Sequence, residues 1–158
     1  MKSDTAMSPA HALLMVRLYW IFSAVLCFVL IGLGFAMIAL FEIPVRSRVG
    51  WIGAGVGLAT FVILTLAGHV TRLQIYKRHW IGQHVSPTGY LVGNLMLYSF
   101  HKTTIAVAMI CMLLGGSWWP ALLPGLLALI LLLATYPHGG PMVDTPPNLG
   151  EIDNPFKA

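Results

Sequence analysis

Two histidines offer the clearest potential for chemistry in this sequence. His69 falls at the end of one predicted membrane span and His101 at the start of the next. If the two spans are neighbouring helices, the imidazoles lie at equal depth in a membrane, as axial ligation of one haem iron by two histidines requires. Arg72 and Lys102 are close enough in sequence to pair with haem propionates. The alternative is that each histidine lies in the headgroup layer, hydrogen-bonded to water or to a helix end.

Other catalytic and metal-binding patterns are missing from the sequence. It contains no GxSxG, HExxH or P-loop motif, and His79 and His84 lack the further ligands that a zinc site needs. Cys27 and Cys111 lie in apolar runs without CxxC spacing, which predicts buried thiols. Since no Asp or Glu lies inside an apolar run, a proton-coupled carrier is disfavoured. We therefore expect a protein that is not an enzyme.

The elements that must position these residues are membrane helices. Of the 158 residues, 58% are hydrophobic and 9% are charged, whereas soluble domains are about a quarter charged. A helix needs about 20 apolar residues to cross the hydrocarbon core. We predict an all-α integral membrane fold with an N-terminal segment, a four-helix transmembrane domain and an extended proline-rich tail, at residues 1–17, 18–136 and 137–158. The spans are predicted at about 18–41, 49–71, 103–116 and 118–136.

The third apolar run is too long for a simple span. Residues 90–116 would form a helix of about 40 Å at 1.5 Å per residue, against a core of about 30 Å. His101 and Lys102 would then lie in the middle, where charged and polar groups are costly. We predict instead a short interfacial helix over residues 90–102, with Lys102 reaching toward the headgroups and the third span following it.

The second run carries a row of glycines. Gly50, Gly53 and Gly57 are spaced three and four apart on one helix face, and Gly68 continues that face. Small residues let another helix approach closely. We expect this face to pack against another span of the same chain; the alternative is a contact with a partner subunit.

Charges and aromatic residues predict the orientation. If the N-terminus is cytoplasmic, most cationic residues are cytoplasmic, as the positive-inside rule requires: Lys2, Arg17, Arg72, Lys77, Arg78 and Lys157. Only Arg46 and Arg48 then lie outside. Aromatic residues at the span ends agree with interfacial belts, with Tyr19, Trp20, Tyr76, Trp80 and Tyr136 on the inner side and Trp51, Trp118 and Trp119 on the outer. Both patterns predict cytoplasmic N- and C-termini.

The cationic stretch after the second span predicts contact with lipid. Arg72, Lys77 and Arg78 are expected to contact anionic headgroups. The net charge of +4 is therefore attributed to membrane orientation, and nucleic acid is not expected as a partner.

These features favour a non-catalytic small polytopic subunit, with a structural or assembly role, in a larger inner-membrane complex of the respiratory, photosynthetic or secretion type. Its partners would be other membrane subunits and membrane lipids, and no cofactor is expected. The tail is suited to lying along a partner, with a disordered tail as the alternative. The second hypothesis is a haem b-binding anchor of an electron-transfer complex, with His69 and His101 as axial ligands. The compact chain, without an organelle-type presequence, favours a multi-pass protein of the bacterial inner membrane.

The orientation predicts how Ser117, between the third and fourth predicted spans, is labelled. A Ser117→Cys variant, with Cys27 and Cys111 replaced by alanine, should react with a membrane-impermeant maleimide from the outer side of intact cells. Lys77→Cys is the control, because it should react only after the membrane is opened. The reverse pattern would contradict the predicted orientation.

Overall fold

The computed structural model describes residues 7–142, which are mostly helical. The elements in chain order are α1 (Pro9–Leu40), α2 (Ser47–Arg78), β1 (Trp80–Ile81), β2 (His84–Val85), α3 (Pro87–Gly115), α4 (Leu123–Ala134) and a 3-10 turn (Gly140–Met142). The first three helices are long and apolar enough to cross a membrane. They measure about 48, 48 and 44 Å at 1.5 Å per residue. The all-helical architecture is confirmed, with three helices of membrane-spanning length in place of the predicted four.

Serine–proline pairs set the starts of two long helices. The hydroxyl of Ser8 accepts a hydrogen bond from the amide of His11 at 3.2 Å, and Pro9 takes the first helical position. Ser86 and Pro87 begin α3 in the same way. The serine oxygen satisfies an amide that has no partner within the helix, and proline has no amide hydrogen to lose there. Helix α1 therefore begins inside the segment predicted to precede the first span.

Helix α3 is continuous, and the predicted interfacial helix over residues 90–102 is wrong. Leu97 and His101 are completely buried, so this stretch is packed inside the bundle and does not lie on a membrane surface. The cation that motivated the prediction has a partner, because the ammonium group of Lys102 donates to the hydroxyl of Tyr19 at 2.6 Å. That contact lowers the cost of continuing the helix through this position.

The fourth helix is shorter than the predicted span of 118–136. Trp118 to Leu122 form turns, and α4 has 12 residues, or about 18 Å. Pro120 has no amide hydrogen to donate, and its ring obstructs the preceding turn of a helix. The amide of Leu122 instead bonds the carbonyl of Trp118 at 2.9 Å, and the amide of Leu123 bonds that of Pro120 at 3.1 Å. Regular helix begins only after these turns.

Helix α3 lies at the centre of the bundle. Helices α1, α2 and α4 all pack against it, whereas α1 and α2 make little direct contact with each other. Helix α4 covers one face of α3, where a Cβ on Gly125 would lie 3.0 Å from the Cβ of Ala108. The opposite face of α3 is exposed, and its residues fall at intervals of seven and four along one side of the helix. We term these residues the open stripe: Met96, Thr103, Ile110 and Leu114.

The glycine face of α2 packs within the same chain. A Cβ on Gly53 would lie 2.9 Å from the Cβ of Cys111, and one on Gly68 would lie 3.2 Å from Cδ1 of Leu97. The face is buried along its length at Gly50, Gly53, Gly57 and Gly68. The missing side chains let α2 approach α3 and α4 closely, as expected for small residues in membrane helices.

A tight antiparallel hairpin joins α2 to α3. Trp80 pairs with Val85 and Ile81 pairs with His84. Gly82 has a φ of +60° in the turn, a conformation that favours glycine. The sequence analysis did not predict this element. We term this end of the bundle the hairpin end, and the opposite end, formed by residues 41–46 and 116–122, the loop end.

Aromatic clusters lie toward both ends. At the hairpin end the ring of Trp20 meets Tyr136 edge-on at 5.1 Å, and its indole nitrogen donates to the carbonyl of Leu132 at 2.8 Å. At the loop end the rings of Trp118 and Trp119 are 6.1 Å apart. Trp and Tyr in such positions are typical of membrane–water interfaces.

Helices α2 and α3 continue past the Trp20–Tyr136 contact toward the hairpin. Tyr98 donates to the carbonyl of Thr135 at 2.9 Å, which marks the level at which α4 ends. From Tyr98 back to Pro87, α3 extends for about 16 Å. We term the part beyond this level the cap; it comprises residues 7–17, 72–97 and 137–142.

The contact at Gly53 predicts a stability difference between two neighbouring glycines. Gly53→Ala should lower the free energy of unfolding by about 1–3 kcal/mol, because the methyl group overlaps Cys111. Gly55→Ala is the matched control on the same helix, since a Cβ there meets nothing within 4 Å. Thermal unfolding of the detergent-solubilised variants measures the difference. Equal melting temperatures would contradict the close packing of α2 on α3.

Candidate functional site

The antiparallel packing of α2 on α3 places His69 next to His101. Their ring centroids are 6.5 Å apart, and the ring planes meet at 67°. His101 is completely buried, and neither of its ring nitrogens has a hydrogen-bond partner within residues 7–142. His69 is exposed. The pair therefore combines an accessible imidazole with an enclosed one.

The packing around this pair leaves little room for a porphyrin. Gly68 lies so close to α3 that a Cβ would be 3.2 Å from Cδ1 of Leu97 and 3.2 Å from Cδ2 of Phe100. A macrocycle between the two imidazoles would have to push α2 and α3 apart at this level. Haem ligation therefore requires a wider spacing of the two helices than the one described.

The cations expected to hold haem propionates contact tyrosines. Arg72 donates through Nε to the hydroxyl of Tyr76 at 3.1 Å. Lys102 donates to the hydroxyl of Tyr19 and also lies 4.3 Å from the centre of that ring. Both contacts combine a hydrogen bond with a cation–π interaction. Arg72 is therefore fixed by a tyrosine one helical turn away on α2, and Lys102 by a tyrosine on α1.

Like the ring nitrogens of His101, two hydroxyl groups in the long apolar helices lack a hydrogen-bond partner among the described residues. The hydroxyl oxygens of Ser23 and Thr65 are buried without a partner in the described part of the chain. Thr65 lies one turn from His69 on the same face of α2. Buried polar atoms without partners are infrequent in folded proteins, because each costs desolvation free energy. These groups could bond to a small polar ligand or to water.

A connected set of polar side chains lies in the cap. The side-chain amide of Asn94 donates to the hydroxyl of Tyr76 at 2.8 Å and to the carbonyl of Tyr90 at 2.8 Å. The hydroxyl of Tyr90 accepts a hydrogen bond from the amide of Gly139 at 3.1 Å. With the Arg72–Tyr76 bond, these contacts link α2, α3 and the segment after α4. We term these residues the cap network: Arg72, Tyr76, Tyr90, Asn94 and Gly139.

Ring stacking adds to the cap network. The rings of Tyr76 and Tyr90 are stacked at 6.0 Å, and the guanidinium carbon of Arg72 lies 5.1 Å from the centre of the Tyr76 ring. Gly93 permits this arrangement, since a Cβ there would lie 2.6 Å from Cε1 of Tyr76. The cap network is thus held by hydrogen bonds, stacking and a cation–π contact together.

A cavity of about 380 Å³ lies beside the cap network, between α2, α3 and the end of α4. Arg72, Tyr90 and Asn94 form one side, and residues 134–141 form the other. None of the described residues that line the cavity is acidic. The cavity therefore presents one cation and several hydrogen-bonding groups.

The three residues predicted to contact lipid headgroups differ from one another in burial. Arg72 is half-buried at the cavity, whereas Lys77 and Arg78 are exposed in the last turn of α2. Cations in a last turn interact favourably with the carbonyl end of a helix. Only Arg72 of the three lines a cavity.

The remaining candidate ligands do not form a metal centre in the part of the chain that the structure describes. No three of the His, Cys, Asp and Glu residues come together there. Cys27 and Cys111 are both buried and unbonded. The imidazole Nδ1 of His79 is 3.0 Å from the carbonyl of Ile75 at the end of α2.

The predicted tail is described only as far as residue 142. This part packs on the cap: Met142 is 6% exposed, and a Cβ on Gly139 would lie 3.2 Å from Cδ2 of Leu13. The rest of the predicted extended tail, residues 143–158, lies outside the described residues. The interpretation of that part as a strap for a partner stays a prediction.

Sequence reasoning missed the cap network and its cavity. Their members are spread from Arg72 to Gly139, and only the fold brings them together. The available signal was Asn94, because an amide in an apolar run must find partners when the run is buried. Comparisons with protein-family models, with curated proteins and with solved structures gave no match to this chain.

Proposed function

We propose that this protein is a non-catalytic polytopic subunit of a larger membrane complex, with a structural or assembly role. The observation that supports the proposal is the open stripe of α3. Met96, Ile110 and Leu114 are 45%, 57% and 59% exposed although they belong to the central helix. Because α4 covers the opposite face, and α1 and α2 flank α3 with little contact between them, we infer that the stripe is the floor of a groove between α1 and α2.

The groove has the form that one additional helix needs. Met96, Thr103 and Ile110 recur every seven residues, the interval at which two packed helices keep the same faces in contact. Thr103 is small enough to allow close approach of a neighbouring backbone. A transmembrane helix of a partner subunit would contact α1, α2 and α3 together.

The glycines of α2 are not part of this partner surface. Gly53 and Gly57 pack against Cys111 and Pro124 of the same chain. The proposed partner therefore contacts a surface that the small-residue pattern did not identify.

We further propose that the hairpin end faces the cytoplasm and that the membrane is a bacterial inner membrane. Four cations support this orientation: Arg17, Arg72, Lys77 and Arg78 lie toward the hairpin end. Arg46 and Arg48 lie at the loop end, beside the acidic residue Glu42. An excess of Lys and Arg on the cytoplasmic side is the rule for membrane proteins.

The subunit proposal predicts co-purification. Native protein extracted in mild detergent should migrate with one or more membrane proteins, which mass spectrometry of the isolated complex identifies. Ile110→Trp should reduce their recovery, because the larger ring fills the groove. Ile130→Trp is the matched control, since Ile130 is 59% exposed on α4, away from the groove.

Two results would contradict this proposal. The first is native protein that migrates alone at its monomer mass. The second is equal partner recovery with Ile110→Trp and Ile130→Trp, which would exclude the groove as the contact surface.

Haem b binding in an electron-transfer complex is the second candidate. The observation that favours it is the proximity of His69 and His101, with both ring nitrogens of His101 unpartnered in the described residues. The tight contact of Gly68 with α3 opposes it. The candidate therefore depends on whether α2 and α3 separate when haem is supplied.

An absorption spectrum tests this candidate. Purified protein from cells supplied with haem should show a Soret band that both His69→Ala and His101→Ala abolish, because each substitution removes an axial ligand. His79→Ala is the control and should keep the band. Colourless wild-type protein would exclude haem binding, and a band that survives both substitutions would exclude these ligands.

A further inference from the structure

The guanidinium of Arg72 has unused hydrogen-bonding capacity at the cavity in the cap. A guanidinium carries five N–H groups, and that of Arg72 uses Nε for the hydroxyl of Tyr76. Its two terminal amino groups make no hydrogen bond within residues 7–142, and no described carboxylate pairs with it. A half-buried cation without a counter-charge is costly. An anion in the cavity would remove that cost.

The other polar groups of the cavity are also suited to an anion. The oxygen of Tyr90 accepts from the amide of Gly139, so its own proton remains available for a ligand. The imidazole of His138 lies at the rim, with its ring 5.3 Å from that of Tyr136. A phosphate group accepts several hydrogen bonds at once and matches the forked geometry of arginine.

The position of the cavity indicates a lipid as the source of the phosphate. Tyr136 lines the cavity and packs edge-on against Trp20, in the aromatic cluster expected at headgroup level. Arg17 adds a second cation there, 5.5 Å from the centre of the Tyr136 ring. On α4, Leu133 adjoins Ala134 of the cavity lining and Ile130 lies about one turn further away; both are exposed and offer an apolar surface to acyl chains.

We propose that this cavity binds the headgroup phosphate of one anionic phospholipid, with Arg72 as its principal ligand and Tyr90 as a hydrogen-bond donor. The site is distinct from the exposed cations at the end of α2. Lys77 and Arg78 attract anionic lipid without enclosing it. Arg72 instead contributes its charge inside a shaped cavity, so the bound lipid should survive purification.

Retention of lipid by the full-length protein tests the proposal. The protein is purified in mild detergent, exchanged into phosphatidylcholine nanodiscs that contain phosphatidylglycerol, and analysed for bound lipid by native mass spectrometry. Arg72→Gln should reduce the affinity for phosphatidylglycerol about tenfold, the effect expected for loss of a charge-assisted hydrogen bond. Arg78→Gln is the matched control, since it removes the same charge from an exposed position of the same helix.

A second variant separates loss of binding from loss of folding. Arg72→Lys keeps the cation but cannot form two parallel hydrogen bonds, so it should bind phosphatidylglycerol with an affinity between those of the wild type and Arg72→Gln. Thermal unfolding of each variant in lipid-free detergent shows that the fold is kept. Equal lipid affinity in folded wild type, Arg72→Gln and Arg78→Gln would overturn the proposal.

Two further arms identify the source of the anion. Inorganic phosphate should not displace phosphatidylglycerol at equal concentration, because it lacks the acyl chains; equal displacement would overturn the assignment to lipid. The second arm uses protein without residues 143–158, which contain Asp144, Glu151 and Asp153. If phosphatidylglycerol binds only after this deletion, the chain's own carboxylates fill the cavity and the proposal fails.

Discussion

The close approach of α2 to α3 determines most of the other features of this structure. Gly53 and Gly115 have no space for even a methyl group against the opposite helix without local adjustment. In a membrane, where burial of apolar surface does not drive helices together, such contacts supply the packing that holds a helix pair. The same contact places His69 beside His101 and Tyr76 beside Asn94. Both candidate sites therefore depend on it.

The length of the helices explains why polar groups collect at one end. Helices α2 and α3 are longer than the hydrocarbon thickness of about 30 Å, which leaves length for polar turns outside it. At the hairpin end the side-chain amide of Asn94 donates to the hydroxyl of Tyr76 and to the backbone carbonyl of Tyr90 instead of to water. Such networks are rigid when every member has a partner, and costly when one does not. The terminal amino groups of Arg72 and the hydroxyl proton of Tyr90 have no partner in the described part of the chain.

Hydropathy was sufficient to predict that α1 and α2 exist, but not where the helices begin and end. Helix α1 begins at Pro9, before the predicted start at about residue 18, because proline favours a start at the first helical position. The predicted interfacial helix rested on the cost of placing Lys102 inside a span. That prediction did not include Tyr19, the partner of Lys102 that lies 83 residues away in sequence, and the helix is continuous. The cap network was not predictable, because no local pattern connects Tyr90 to Gly139. Contacts between distant residues decided the last two of these differences.

The short fourth helix makes the protein's lipid-facing perimeter uneven. Beside α1 the apolar surface is long enough for a thick bilayer, whereas α4 offers regular helix for only about 18 Å. Lipid adjoining α4 must thin or tilt, at a cost of fractions of a kcal/mol for each ångström of mismatch. Hydrophobic mismatch at α4 thus deforms the surrounding bilayer more on this side of the molecule than beside α1.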